Sequence, residues 1–206
     1  MARKQYRGCS RLVYATVTVG DGGAVTYGTP AVVAPVKAIS RTIDEASEEV
    51  WADNALQETT YGGKKITRSF EVTPLAADVE ADLFGLDEVT LGGSEKGYAT
   101  PTGGDRPYFA FGYALHDGDP DHPCEVVWAY RGKAVSLTKS ANTIKQGDTA
   151  SEGQTLEVEF TESAEKFTAT GKHNMDMNVP VTASTTWVDK WFASVITPDN
   201  ASTALK

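Results

Sequence analysis

The stretch Ala38–Leu86, AISRTIDEASEEVWADNALQETTYGGKKITRSFEVTPLAADVEADLFGL, decides the fold. From Lys64 to Thr73 it alternates: Ile66, Phe70 and Val72 fall on one face, and Lys65, Thr67, Ser69 and Glu71 on the other. A period of two marks a half-buried antiparallel strand. Thr73-Pro74 then offers an N-cap and a proline at the first helical position. Leu75, Val79, Leu83 and Leu86 follow at helical spacing, with Asp78, Glu80 and Asp82 turned outward. Gly85 is expected to stop this helix after about three turns, enough to cover one face of a sheet. Upstream, Val36–Ile43 reads as a strand, Glu48–Ala52 and Leu56–Tyr61 as weaker ones, and Gly62-Gly63 as the hairpin turn into the long strand. Between them runs an acidic reach from Asp44 to Glu58, bearing Trp51, with no evident partner in the chain.

Outward from this stretch the pattern stays β. Arg11–Val19 (RLVYATVTV) is rich in β-branched residues, Asp21-Gly22-Gly23 is a tight turn, and Ala24–Gly28 returns as its partner. Pro30 and Pro35 confine the next piece to an edge or arm. Asp87–Asp105, rich in glycine and threonine, reads as an exposed loop. Pro107–Leu115 (PYFAFGYAL) is the most regular strand. Its Phe109, Phe111, Tyr113 and Leu115 form a core face, and Ala110, Gly112 and Ala114 leave the other face small, where another layer comes close. Cys124–Tyr130 puts Val126, Trp128 and Tyr130 on one side, and Arg131-Gly132-Lys133 is expected to bend the chain towards Ala134–Leu137. Thr138–Gly153 is polar and irregular. Gln154–Thr161 alternates again, with Leu156, Val158 and Phe160 inward, and Glu165–Thr170 adds a short last strand. Residues 1–170 thus form one β domain with a basic N-terminal arm, and 171–206 a C-terminal extension with a helix at 186–196. That helix pairs Trp187 with Trp191, and two tryptophans on so short an element imply docking on the chain's own domain, the favoured reading, or on a neighbour.

The 206 residues suffice for one domain with a full core. With 28 acidic against 19 basic side chains, the acidic balance argues against a non-specific grip on DNA, which needs cations to displace counterions. Charge is uneven: Arg3, Lys4, Arg7, Arg11 and Lys37 face only Asp21 within residues 1–40, whereas 71–125 holds only Lys96 and Arg106 as bases. Such asymmetry suits head-to-tail self-association, and equally a solvated tail beside an acidic surface. Cys9 and Cys124, without regular spacing or an apolar leader, read as free thiols, and no run is long enough for a membrane span.

The chemistry-bearing candidates are weak. His116-Asp117-Gly118-Asp119-Pro120-Asp121-His122-Pro123-Cys124 begins like a calcium loop, but counting from Asp117 the sixth and twelfth places hold His122 and Trp128. It reads as a solvated turn. His173 has no nucleophile paired with it by position, no G-x-S-x-G elbow or phosphate-binding loop is present, and Gly62-Gly63-Lys64-Lys65 opens a strand rather than a helix. No catalytic residue, cofactor or metal is expected.

The order of these pieces resembles the major tail protein (tail tube protein) of long, flexible, non-contractile-tailed bacteriophages, the siphophages. The resemblance spans approximately Pro35–Glu162. It rests on VKAISRTIDEASEEVWADNALQET, ITRSFEVTPLAADVEADLFGL, RPYFAFGYAL and, most specifically, VVWAYRGKAVSLTKSANTIKQGDTASEGQTLEVEF. It implies a mainly β fold of two packed antiparallel sheets flanked by a short helix, with a long inter-subunit loop at Arg41–Tyr61. It further implies a virion tail protein, made in the host cytoplasm, whose hexameric rings stack into the conduit for DNA ejection. The implied partners are copies of itself, a tape measure protein inside the tube, and tail terminator and distal tail proteins at the ends. Double-stranded DNA would pass without specific binding. The loop makes Arg41, Asp44, Glu45, Glu48, Glu49, Trp51, Asp53 and Tyr61 the candidate interface residues. Of these, Trp51 is the aromatic anchor type that dominates interfaces. The resemblance does not cover 171–206.

Two other readings stand beside it. One is a monomeric β-sandwich binding module, an adhesin or carbohydrate-binding domain with Trp51, Trp128 or loop tyrosines as its platform. The other is a hydrolase using the His116–Cys124 loop.

Overall fold

The computed structural model describes every residue except 1–4, 22, 53–54, 94, 141–153, 161–165 and 183–184. The chain opens with β1 (Gly8–Val19), β2 (Val25–Tyr27) and β3 (Ala31–Val32). Two long strands follow, β4 (Val36–Ala52) and β5 (Ala55–Val72), then helix α1 (Ala77–Phe84). After β6 (Asp87–Thr90) and β7 (Lys96–Ala99) come the core strands β8 (Tyr108–His116), β9 (Glu125–Lys139) and β10 (Gln154–Phe160). The chain ends with β11 (Asp176–Pro180), α2 (Val188–Ala193) and α3 (Ala201–Ala204).

Hydrogen bonding runs antiparallel along the order β2-β1-β8-β9-β10-β5-β4, with β3 added to β1 and β11 to β9, while β6 and β7 form a separate two-stranded sheet. The expected mainly β class with a flanking helix is what the chain adopts, and one continuous hydrogen-bond path joins its layers. The main sheet curls, so the start of β4 comes back near β1.

Alternation in the sequence sets the two faces of this sheet. Phe109, Phe111 and Tyr113 of β8 meet Leu156, Val158 and Phe160 of β10 and Ile66, Phe70 and Val72 of β5 in the first core cluster. Leu83 of α1 closes that cluster, and the Tyr14 hydroxyl donates to Asp82 at 2.8 Å, tying helix to β1. On the opposite face Ala110, Ala114, Val126, Trp128 and Tyr130 form the second cluster, covered by Trp191, Val195 and Ile196. The small β8 face is there for Trp128: a Cβ on Gly112 would stand 2.9 Å from the indole Cζ2. The Trp128 indole N–H donates to the Trp191 carbonyl at 2.8 Å, so the C-terminal segment packs on its own sheet.

Several local expectations are corrected. Gly62-Gly63 is no turn but part of β5, and the strands that it was expected to separate are one. The helix begins at Ala77, not Pro74, and Thr73 does not cap it. The reason is tertiary: the Thr73 N–H is still bonded to the Pro35 carbonyl and the Leu75 N–H to the Gln154 side chain, so the chain remains extended through Ala76. Gly85 ends α1 as expected, in the left-handed region at φ 64° with its N–H on the Ala81 carbonyl. Arg131-Gly132-Lys133 does not break β9, since the register slip against β8 and β10 is absorbed within one continuous strand. The stretch read as a loop, Asp87–Asp105, contains β6 and β7. The helix expected at 186–196 covers only Val188–Ala193, because Ser194 turns extended and delivers Val195 and Ile196 to the core. Within Glu165–Thr170 the described part contributes an isolated Phe167–Lys172 bridge. Most of the irregular Thr138–Gly153 segment lies outside the described residues.

Candidate functional site

β4 and β5 pair along their length from Val36↔Val72 to Ala52↔Ala55, interrupted by register shifts at Val36/Ala38, Glu45/Ser47 and Val50/Trp51. β10 accompanies β5 only as far as Phe160↔Ile66. Beyond that pair, among the described residues, the two strands continue without a third for roughly 30 Å, at the ~3.3 Å per residue of extended chain. The expected loop Arg41–Tyr61 is therefore a two-stranded ribbon. The loop was what the resemblance implied, whereas the strands read weakly at Glu48–Ala52 and Leu56–Tyr61 do form, as parts of β4 and β5. Every residue from Arg41 to Trp51 is exposed, Ile43 and Val50 included.

The candidate interface residues separate into root and tip. At the root, Arg41 lies opposite Arg68, and both guanidinium groups donate to the same Asp176 oxygen, Arg41 at 3.0 Å. Asp44 faces Lys65, which is turned to Glu159 of β10 at 2.6 Å, and Glu45 pairs with Lys64 at 3.5 Å. The hydrogen bond to Glu159 holds the Lys65 ammonium above its ordinary pKa. Past Lys64 the compensation ends. Glu48 and Glu49 stand opposite Thr60 and Thr59, and Glu58 stands opposite Val50. Trp51 is 61% exposed, its indole N–H on the Glu49 carboxylate at 3.0 Å. Tyr61 pairs with Ser47 through the backbone, and Asp53 lies outside the described residues.

Sequence reasoning missed Arg68. The same alternation that places Ile66 and Phe70 inward places it there too, and that signal was available. Arg68 is fully buried, its Nε–H donating to the Tyr113 hydroxyl at 3.1 Å and its guanidinium lying 4.6 Å from the Phe160 ring centroid. Asp176, on a strand that its Asp-Met-Asn-Val-Pro sequence does not announce, supplies the countercharge.

The loop after β8 is arranged as a structural tie. His116 is buried, with Nε2 2.7 Å from the Ser10 hydroxyl and Nδ1 2.8 Å from the Asp119 carbonyl oxygen. A bulge in β1 lies beside it, with Arg11 in the left-handed region at φ 55°. The Arg11 guanidinium reaches Asp189 of α2 at 2.5 Å and lies over the Phe192 ring, 5.6 Å from its centroid. His122, the other histidine of the loop, is exposed. Among the described residues no group of three His, Cys, Asp or Glu side chains is placed to hold a metal, and no helix is long and apolar enough to cross a membrane. Neither Cys9 nor Cys124 is in a disulfide.

No protein-family model matches the chain. No curated protein sequence matches it either. Among solved structures, it is similar to a chain in the "Cryo-EM structure of the anti-feeding prophage cap (AFP tube terminating cap)". There the identity is 12% and the TM-score 0.45, with 88% of this chain and 95% of that chain covered. It is also similar to a chain in the "Cryo-EM structure of the anti-feeding prophage (AFP) baseplate, 6-fold symmetrised", at 8% identity and a TM-score of 0.36, covering 87% and 98%. Likeness at this level defines no family.

Proposed function

We propose that the chain is a structural subunit that assembles with its own copies into the stacked, hexameric rings of a phage tail tube, the conduit for DNA ejection. One observation carries this reading: a long two-stranded ribbon, exposed on both faces, extends past the last strand that supports it. An isolated two-stranded hairpin is marginal in water. The outer edge of β4 also leaves a row of backbone groups unpaired by any strand of the main sheet. Pairing and packing against neighbouring copies would complete both, and closure of six copies into a ring removes the edge.

The acidic ribbon also suits such a tube. Carboxylates along a lumen repel phosphate at short range, so double-stranded DNA slides past without specific binding. In this reading a tape measure protein occupies the lumen before DNA does, tail terminator and distal tail proteins close the ends, and the subunit has no catalytic step of its own. The place of action is the virion tail, after synthesis in the host cytoplasm.

The test is a deletion that respects the pairing. Removing residues 46–61 joins the cross-strand pair Glu45 and Lys64 through Gly62-Gly63, a two-residue loop of the kind that closes tight hairpins. This variant is expected to melt cooperatively like the parent yet form no rings or tubes in electron micrographs. A parent protein that stays monomeric at every concentration would overturn the reading and favour a monomeric binding module. For such a module Trp51 is the available platform, because Trp128 is fully buried.

A further inference from the structure

A cationic pair on β9, seated over a tyrosine of β8, points to a receiving surface. Arg11, Arg41, Lys64, Lys65, Arg68, Lys96, Lys133 and Lys139 each meet a carboxylate within the chain. Arg131 meets none among the described residues. It lies instead over the Tyr108 ring, 4.2 Å from the centroid, with its Nε–H shielded and without an acceptor. Lys133 covers the same ring at 4.3 Å, and its only ion-pair partner among the described residues, Asp105, has a side chain 91% exposed. A guanidinium seated over an aromatic ring is restrained there while its terminal N–H groups retain the fork geometry that takes a carboxylate. The two cations therefore form a preorganised, under-neutralised cluster on β8 and β9.

The complementary charge sits at the ribbon tip, where Glu48, Glu49 and Glu58 lie beyond the last lysines of the ladder. The tip cannot satisfy its own chain's cluster: Glu48, Glu49 and Glu58 are exposed, and the ladder carries them away from the sheet. We propose that the Glu48–Glu49–Glu58 end of the ribbon in one copy docks on Arg131 and Lys133 over Tyr108 of a second copy. Each copy then offers one acidic tip and one basic cluster, so the contact is head-to-tail and propagates around a ring or along a stack. This rests on the self-assembly reading above and names its second surface.

Three variants test it, read by sedimentation velocity and electron microscopy with circular dichroism as the folding control. E48K/E49K/E58K lies wholly on exposed ribbon and cannot disturb the core, so it is the primary variant. R131E/K133E is the reciprocal one, and K133E alone stands in should the double substitution misfold. Each is expected to weaken association at least about tenfold, the scale of a lost close charge pair between proteins. Mixing the two multiple variants is expected to restore assembly, because the basic tip of one then meets the acidic cluster of the other. Normal assembly by either variant alone, or no recovery on mixing, would overturn this docking while leaving a tube-forming parent intact. A parent that never assembles would overturn both.

Discussion

Arg41 and Arg68 face each other across the β4–β5 ladder and donate to a single carboxylate oxygen of Asp176. Two like charges thus depend on one acid from a strand more than a hundred residues away, and Arg68 is the fully buried member. Asp176→Asn keeps the shape and removes the charge, leaving Arg68 desolvated without compensation. The expected loss is about 3 kcal/mol, near the lower end for orphaning a buried charge because Asp176 still touches solvent. Urea denaturation checks this. An unchanged midpoint would mean that the cation–π contacts with Phe160 and Tyr113 hold Arg68 by themselves.

Gly112 tests how closely the Trp128 indole lies across the neighbouring strand. Its replacement by Ala drives a methyl against the Trp128 ring, which is itself pinned to the Trp191 carbonyl. Overpacking of this kind costs about 1–3 kcal/mol. The near-ultraviolet circular dichroism of Gly112→Ala should change along with its melting temperature, since the indole must move.

Trp51 tests the ribbon. Because it packs on no core residue, Trp51→Ala is expected to shift folding stability by no more than about 0.5 kcal/mol. Its effect on ring or tube formation should be much larger. Paired melting curves and sedimentation profiles separate the two quantities, and a large fall in melting temperature would place the indole in the fold rather than at an interface.

Alkaline pH provides a fourth test. The Tyr6 hydroxyl donates to Glu125 at 2.6 Å, and that hydrogen bond, with burial behind it, pushes the Tyr6 pKa from 10.0 up to about 12. A pKa raised in the folded state means that the unfolded chain loses its proton first. The associated stability is full below pH 10 and disappears as pH rises towards about 12. Burial also raises the pKa of Tyr14, Tyr113 and Tyr130, so the whole protein loses stability in that direction. Tyr6→Phe should flatten part of that slope in melts taken from pH 9 upward. An identical pH dependence would show that the Tyr6–Glu125 bond does not persist in solution.

What could be read from the sequence was whatever burial had written into it. β8, β9 and β10 alternate because each has a side turned to the Phe70 and Phe160 core, whereas the small β8 face accommodates Trp128 of the neighbouring strand, over which the segment with Trp191 and Ile196 lies. The ribbon was legible only in pieces, for the opposite reason. With both faces in solvent, nothing forces a period of two, and Gly62-Gly63 imitates a turn in mid-strand. Helix limits failed where distant partners decide them: Pro35 and Gln154 keep the chain extended up to Ala76, and the demand for Val195 and Ile196 in the core cuts α2 short. Arg68 was hidden by its own type, since a guanidinium on an apolar stripe looks like noise until its acid is found.

The ribbon and the core belong to the same two strands, yet past Ile66 no third strand among the described residues rests on either of them. Substitutions beyond Lys64 are thus nearly silent for folding, whereas those a few residues nearer the sheet are not. One uninterrupted hairpin contains both a part that answers to its own interior and a part that answers only to its surroundings. The outer part can be redesigned, lengthened or regrafted while the inner part goes on folding unchanged.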